Sequence, residues 1–193
     1  MNQVEMNKQA KLSDHFTLGE LTRSKSHPEV YNVPSHVHIE NLKRVCVWLE
    51  ALRERYNERY VLAGAGGQVP KVEVFGENFI SRPDPEVISR PDPEEARPDS
   101  EPIVITSGYR SAELNRKVGG VTTSNHLTGC AVDIRVAGKE QLIRYACILL
   151  DYADETRQDF DELLLEHGAN GVIWLHFAVR AQGNRRKISF LKA

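Results

Sequence analysis

Ile39, Leu42, Val45, Cys46, Leu49 and Leu52 recur at intervals of three and four, the spacing of one apolar helix face. With Pro34-Ser35 ahead of them, they predict a helix over about residues 37 to 60. Upstream, Thr17 followed three residues later by Glu20 is a capping-box pattern and predicts a short helix beginning there. Ile103-Val104-Ile105-Thr106 is β-branched and predicts a central strand, turned by Ser107-Gly108. Ala112 to Val118 reads as a short helix stopped by Gly119-Gly120, Ala131 to Val136 as a strand, and Lys139 to Tyr152 as a helix. Asp161 to Glu166 and Val172 to Val179 read as two strands of a hairpin joined by His167-Gly168-Ala169-Asn170-Gly171. Helices early, strands late and one recrossing helix predict an α+β fold, with helices packed against a small antiparallel sheet.

Between these elements the pattern breaks. Val72-Glu73-Val74-Phe75 offers one short strand, and then Ile80-Ser81-Arg82-Pro83-Asp84-Pro85-Glu86 is repeated identically as Ile88-Ser89-Arg90-Pro91-Asp92-Pro93-Glu94. Five prolines between 83 and 98 fix φ and remove donors, so neither a helix nor a central strand runs through. Residues 76–100 are expected to be an exposed loop inserted into a single domain spanning 1–193. Such a Pro-rich segment is also a candidate docking surface for a phage or other protein partner.

Composition narrows the functional classes. A formal net charge of -2 gives no broad positive field to hold a nucleic-acid backbone. The longest apolar run, near Ile143 to Leu150, is far short of a bilayer span, and residues 1–20 carry polar and acidic side chains where a secretory core would lie. The expectation is a product that is cytoplasmic as synthesised, without a signal peptide, and then released to the cell wall or incorporated in a virion. Three cysteines without CxxC spacing argue against a disulfide framework; Cys46 and Cys147 read as buried thiols. Cys130 reads as a packed strand position, with metal contact as its other reading.

The candidate chemistry lies in Ser124-Asn125-His126-Leu127-Thr128-Gly129-Cys130-Ala131-Val132-Asp133 and in Trp174-Leu175-His176. Asp133 falls inside a strand otherwise filled by Ala131, Val132, Ile134 and Val136, a costly place for a carboxylate unless a cation or hydrogen bonds compensate. If the loop before it folds back, His126 and Asp133 can meet at one ion, and His176 on a neighbouring strand completes two imidazoles and a carboxylate, a catalytic zinc set. Against this, Asp133 could pair with Arg110, and His176 could be a satisfied core histidine. His167 is a further ligand candidate, while His36 and His38 read as surface or capping residues at a helix start.

The same residues resemble the M15 family of zinc D,D-carboxypeptidases and L,D-peptidases, particularly its D-alanyl-D-alanine carboxypeptidase-like branch. The matching features are Ser107-Gly108-Tyr109-Arg110-Ser111, Asn115 with Val118-Gly119-Gly120, Ser124-x-His126-x-x-Gly129-x-Ala131-x-Asp133 and Trp174-x-His176. The resemblance runs from about Phe16 to Val179, with the proline-rich insertion outside it. It implies that His126, Asp133 and His176 bind Zn2+, that Arg110 binds substrate, and that peptidoglycan peptides are the substrate class.

A proton-accepting carboxylate is also required for such hydrolysis. Several members of the wider family place it three positions before the last histidine, where this chain has Ile173. The related branch instead resembles Phe160-Asp161-Glu162-Leu163-Leu164-x-Glu166, which implies Glu166 as the general acid/base, brought beside His176 by antiparallel pairing, with Asp161 as the next candidate. The expected activity is zinc-dependent hydrolysis of stem or cross-link peptides. The alternative is a non-catalytic phage structural or wall-binding protein that retains the fold, motivated by Ile173 and the duplicated insertion.

Overall fold

The structure is a computed structural model that describes residues 6–62 and 100–192. The expected strand at 72–75 lies outside these residues, as does the duplicated proline-rich insertion apart from Ser100. Four α-helices pack with a five-stranded sheet, an α+β arrangement.

Helix α1, Leu18–Thr22, starts at the expected capping box: Thr17 accepts from Glu20 N–H, and the Glu20 carboxylate accepts from Thr17 N–H at 2.8 Å. Helix α2, His36–Tyr56, is capped by Ser35, whose N–H donates to His38 Nδ1 at 3.3 Å. His38 is thus a capping residue, as its position predicted. The regular helix ends at Tyr56, short of the expected 60, and the chain continues as a π-helical turn over Asn57–Leu62.

Strand β1, Ile105–Ser107, leads into α3, Ala112–Lys117. Strand β2, Ala131–Arg135, is followed by α4, Lys139–Thr156, then by β3, Glu162–His167, β4, Ile173–Ala178, and β5, Lys187–Lys192. The strand order is β1-β2-β4-β3-β5. The first four are mutually antiparallel, and β3 and β4 form the expected hairpin.

Two strand expectations need correction. The Ile103 to Thr106 segment gives not a central strand but a three-residue edge strand. Ile103 and Ile105 are buried in the core while Val104 is exposed, and the chain just beyond β1 is tied to α1 rather than to a second strand: Tyr109 N–H donates to Leu21 C=O at 2.7 Å. The sheet is also mixed rather than purely antiparallel, because β5 pairs with β3 in parallel. Strand β5, with Ile188 and Phe190 alternating but exposed, was not expected; five of its six residues are exposed, and backbone pairing to β3 holds it.

Period-two alternation divides the sheet into two faces. Val132, Ile134, Leu163, Leu165, Leu175 and Phe177 face the core, where they meet Leu42, Val45, Trp48 and Leu49 of α2 and Tyr145, Ile148 and Leu149 of α4. Trp48 ties these layers together, its ring 5.2 Å from Phe177 and 4.9 Å from Tyr152. Each such fully buried side chain contributes about 1.5–3 kcal/mol. Cys46 joins this core, whereas Cys147 is exposed on the outer side of α4, contrary to the expectation of a buried thiol. The opposite face of the sheet carries Asp133, Glu162, Leu164, Glu166, Trp174 and His176, which line one groove. Among the described residues no helix is long and apolar enough to cross a membrane.

Candidate metal centre

The loop before β2 is built to present one imidazole. Ser124 Oγ accepts from His126 N–H at 3.3 Å and caps a single 3-10 turn, Asn125–Thr128. Gly129 closes that turn at φ 71°, a left-handed conformation that only glycine adopts cheaply, and a Cβ there would stand 2.7 Å from the His38 carbonyl oxygen. The 3-10 turn lies within the segment that the sequence reads as a loop.

The position of His126 is fixed from two sides. Its carbonyl accepts from Arg110 N–H at 3.0 Å, and its Nδ1 lies 2.6 Å from Gly108 C=O. A carbonyl only accepts, so Nδ1 carries the proton and Nε2 carries the lone pair. Gly108 is itself pressed against α1, where a Cβ would meet Leu21 C=O at 2.2 Å. Asn32 ties the same stretch to the helix, donating to Thr22 C=O at 2.7 Å and to Tyr109 C=O at 2.9 Å.

Asp133 and His176 are direct cross-strand partners of β2 and β4. His126 Nε2 and His176 Nδ1 both approach Asp133 Oδ1, at 3.2 and 2.9 Å, while Arg110 Nη2 donates to Oδ2 at 2.5 Å. The structure therefore brings together the three sequence-derived ligand candidates, all buried, with one ligand atom from each lying within 4.8 Å of the others. It also realises the Arg110–Asp133 pair that was the competing reading of Asp133. Cys130 is buried nearby with its Sγ against Thr128 C=O, and His167 is exposed at the far end of β3; neither belongs to the cluster.

The electrostatics favour a cation. Burial pushes His126 below the usual histidine range, towards the neutral form. Burial also presses Asp133 upward, but the two imidazoles outweigh it and hold the carboxylate well below its ordinary range. Once His126 is neutral, with Nδ1–H committed to Gly108, its Nε2 no longer supports the carboxylate and stands against it, acceptor against acceptor. A metal cation relieves that opposition, and a nitrogen, nitrogen, oxygen donor set suits zinc. For His176, burial alone would lower the imidazole, yet the Asp133 and Glu162 carboxylates near its two nitrogens raise it to about 9.

The cluster lies in a groove of about 1010 Å³ that also admits Arg110, Glu162, Glu166 and Trp174. Glu166 pairs across the hairpin with Trp174, two residues from His176. Burial raises its carboxyl above the ordinary glutamate value and the Asp133 charge adds to this, against His176, the Trp174 indole and Arg110. Asp161 does not line the groove. It is fully buried and accepts from Arg185 Nε and Nη2, each at 2.8 Å, and from Asn125 Nδ2 at 2.7 Å, with Arg180 Nη2 at 2.9 Å. These contacts commit Asp161 to a structural ion cluster rather than to proton transfer.

Sequence reasoning missed Glu162, Asn125 and the cations of the last segment. Glu162 Oε2 accepts from Asn125 Nδ2 at 2.9 Å and lies 3.7 Å from His176 Nε2, while Oε1 lies 3.0 Å from Arg185 and 3.2 Å from Lys187. The His176 contact, with Lys187 adding, outweighs burial and holds Glu162 down at about 2. Period-two alternation from Glu166 would have found it, because positions 162, 164 and 166 share one face.

No curated protein matches the chain. The family profile described as Peptidase M15 matches residues 94–152, a stretch that includes Arg110, His126 and Asp133. With the His126, Asp133 and His176 cluster in place, that match supports membership of the chain in the M15 peptidase family.

Proposed function

We propose that the protein is a zinc-dependent peptidase that hydrolyses peptide bonds in peptidoglycan stem or cross-link peptides, as a D,D-carboxypeptidase or endopeptidase. The observation that carries this reading is the buried facing of His126 Nε2 and Asp133 Oδ1, completed by His176, on the wall of an open groove. His126, Asp133 and His176 would hold the zinc, which when bound supplies Lewis acidity and brings the pKa of water to about 7.

The chain's own residues divide the remaining work. Glu166, a carboxylate made more basic by burial, accepts the proton of the attacking water and returns it to the departing amine. Arg110 holds a substrate carboxylate or carbonyl. Its Nε is used on Ser107 and its Nη2 on Asp133, and a guanidinium carries five N–H donors, so donors remain for that purpose. Arg23 and Lys25 on the groove wall add positive charge suited to peptides with free carboxylates.

The non-catalytic alternative loses its main motive. Ile173 shares the β4 face of Leu175 and Phe177 and packs against the core, so an acid at that position would be directed away from the groove. That favours a proton acceptor from β3.

Zinc content and hydrolysis of defined muropeptides, measured on wild type, His126→Ala and Glu166→Gln, test the assignment. Stoichiometric zinc in wild type and Glu166→Gln, lost in His126→Ala, with cleavage in wild type alone, is the expected result. A wild-type protein that cannot be loaded with zinc would overturn it.

A further inference from the structure

Glu162 is one of the least conspicuous residues of the groove and among the most constrained. It is largely buried at a strand end, with its carboxylate oxygens engaged by three other elements: Asn125 from the 3-10 turn, Arg185 from the β4–β5 connection and Lys187 from β5. The remaining neighbour is His176. Its Nε2 is buried without a hydrogen-bond partner and stands 3.7 Å from Glu162 Oε2, an ion-pair separation rather than a hydrogen bond. Nδ1 of the same ring faces Asp133.

We propose that Glu162 is a positioning residue for His176, a fixed carboxylate that receives Nε2–H and so keeps Nδ1 as the nitrogen turned to the metal. The inference rests on the zinc reading above. A histidine ligand needs its second nitrogen tied down, because a ring free to flip or to change tautomer offers the metal the wrong atom part of the time. Leu164, the cross-strand partner of His176, is aliphatic and cannot serve; Glu162, two residues along the same face, can.

The carboxylate itself needs anchoring, since a free glutamate would rotate into the groove. Lys187 and Arg185 hold Oε1 and leave Oε2 to Asn125 and the imidazole. This gives β5, a mostly exposed edge strand, a part in the metal centre: it clamps the group that orients one ligand. Asn125 links the two histidines, because it donates to Glu162 and directly precedes His126.

The test is the zinc dissociation constant of the full chain, measured by chelator competition for wild type, Glu162→Ala and Lys187→Met. In parallel, 15N-edited NMR of the zinc-loaded protein reads the His176 Nε2–H. Glu162→Ala is expected to weaken zinc binding about 10–100-fold and to lose the slowly exchanging Nε2–H signal. Lys187→Met should broaden that signal and weaken binding by a smaller factor. Unchanged affinity and an unchanged Nε2–H in Glu162→Ala would overturn the positioning role while leaving the zinc reading intact. If Glu162→Ala does not fold, unchanged affinity and signal in Lys187→Met overturn it. A wild-type chain that binds no zinc overturns both readings.

Discussion

Glu162 and Glu166 stand on the same face of β3, one on each side of Leu164, the strand partner of His176, and their acidities diverge. Contacts with His176 and Lys187 pull the first down to about 2, whereas burial lifts the second above the ordinary glutamate value. Two carboxylates pushed apart in this way are suited to different tasks: one stays charged, the other exchanges a proton.

The lifted acidity makes Glu166→Gln a two-sided variant. Turnover of a muropeptide should fall about 10²–10⁴-fold, the usual contribution of a positioned general base. Folding stability should move the other way. A carboxyl raised above its unfolded value stabilises the fold at acid pH and loses that contribution as pH rises through the folded value, so at neutral pH the glutamine variant should melt higher than wild type. Calorimetry at neutral pH checks this, and a lower melting temperature in the variant would refute it.

Metal occupancy should be readable as stability. Zinc present at a hundredfold over its dissociation constant adds about 2.7 kcal/mol to a one-site folded protein, and a chelator should remove it. His126→Ala should show no zinc-dependent shift. Thermal melts with and without zinc and chelator decide the matter; an equal shift in wild type and variant would place the ion elsewhere.

Asp161 sets an acid limit on the fold. Burial would raise its carboxyl, but Arg185, Asn125 and Arg180 prevail and hold it below the ordinary aspartate value. A lowered carboxyl stabilises fully above its unfolded pKa of about 3.9 and progressively less as pH falls through the folded value. Asp161 is buried but Arg180 and Arg185 are partly exposed and can be resolvated, so Asp161→Asn should lose about 1.5–3 kcal/mol at neutral pH, the worth of hydrogen bonds to a charged group, and approach wild type in acid. Urea titrations across pH will show the gap closing; a constant gap would contradict the assignment.

Gly129→Ala combines a left-handed backbone with a Cβ 2.7 Å from the His38 carbonyl oxygen. A strained position of this kind costs about 1–3 kcal/mol. Because Gly129 closes the turn that carries His126, zinc affinity should fall together with the urea midpoint. Loss of stability with unaltered zinc affinity would separate the turn from the metal site.

Much of this arrangement was legible in the chain. The threefold and fourfold spacing from Ile39 to Leu52 announced α2, and the lone aspartate among Ala131, Val132, Ile134 and Val136 announced a compensated charge. What escaped depends on tertiary contact. The edge position of β1 follows from α1 packing Leu21 against Gly108 and Tyr109, which no local pattern encodes. Strand β5 buries no apolar face, its Ile188 and Phe190 being exposed, because its hold on the sheet is backbone pairing and a few ion pairs. Strand alternation could place Glu162 on the face of Glu166, but the ion pairs of Asp161 and Glu162 come from Arg180, Arg185 and Lys187, 19 to 25 positions from the acids they contact, and no local pattern announces them.

Gly108, whose carbonyl fixes the proton on His126, has its own Cα pressed against the backbone of Leu21. The protonation form of a candidate metal ligand is therefore set by an N-terminal helix that contributes no ligand. Trimming the chain through α1 would do more than remove Phe16, Leu18 and Leu21 from the core: it would also release the segment that holds the imidazole to one choice of nitrogen for the ion.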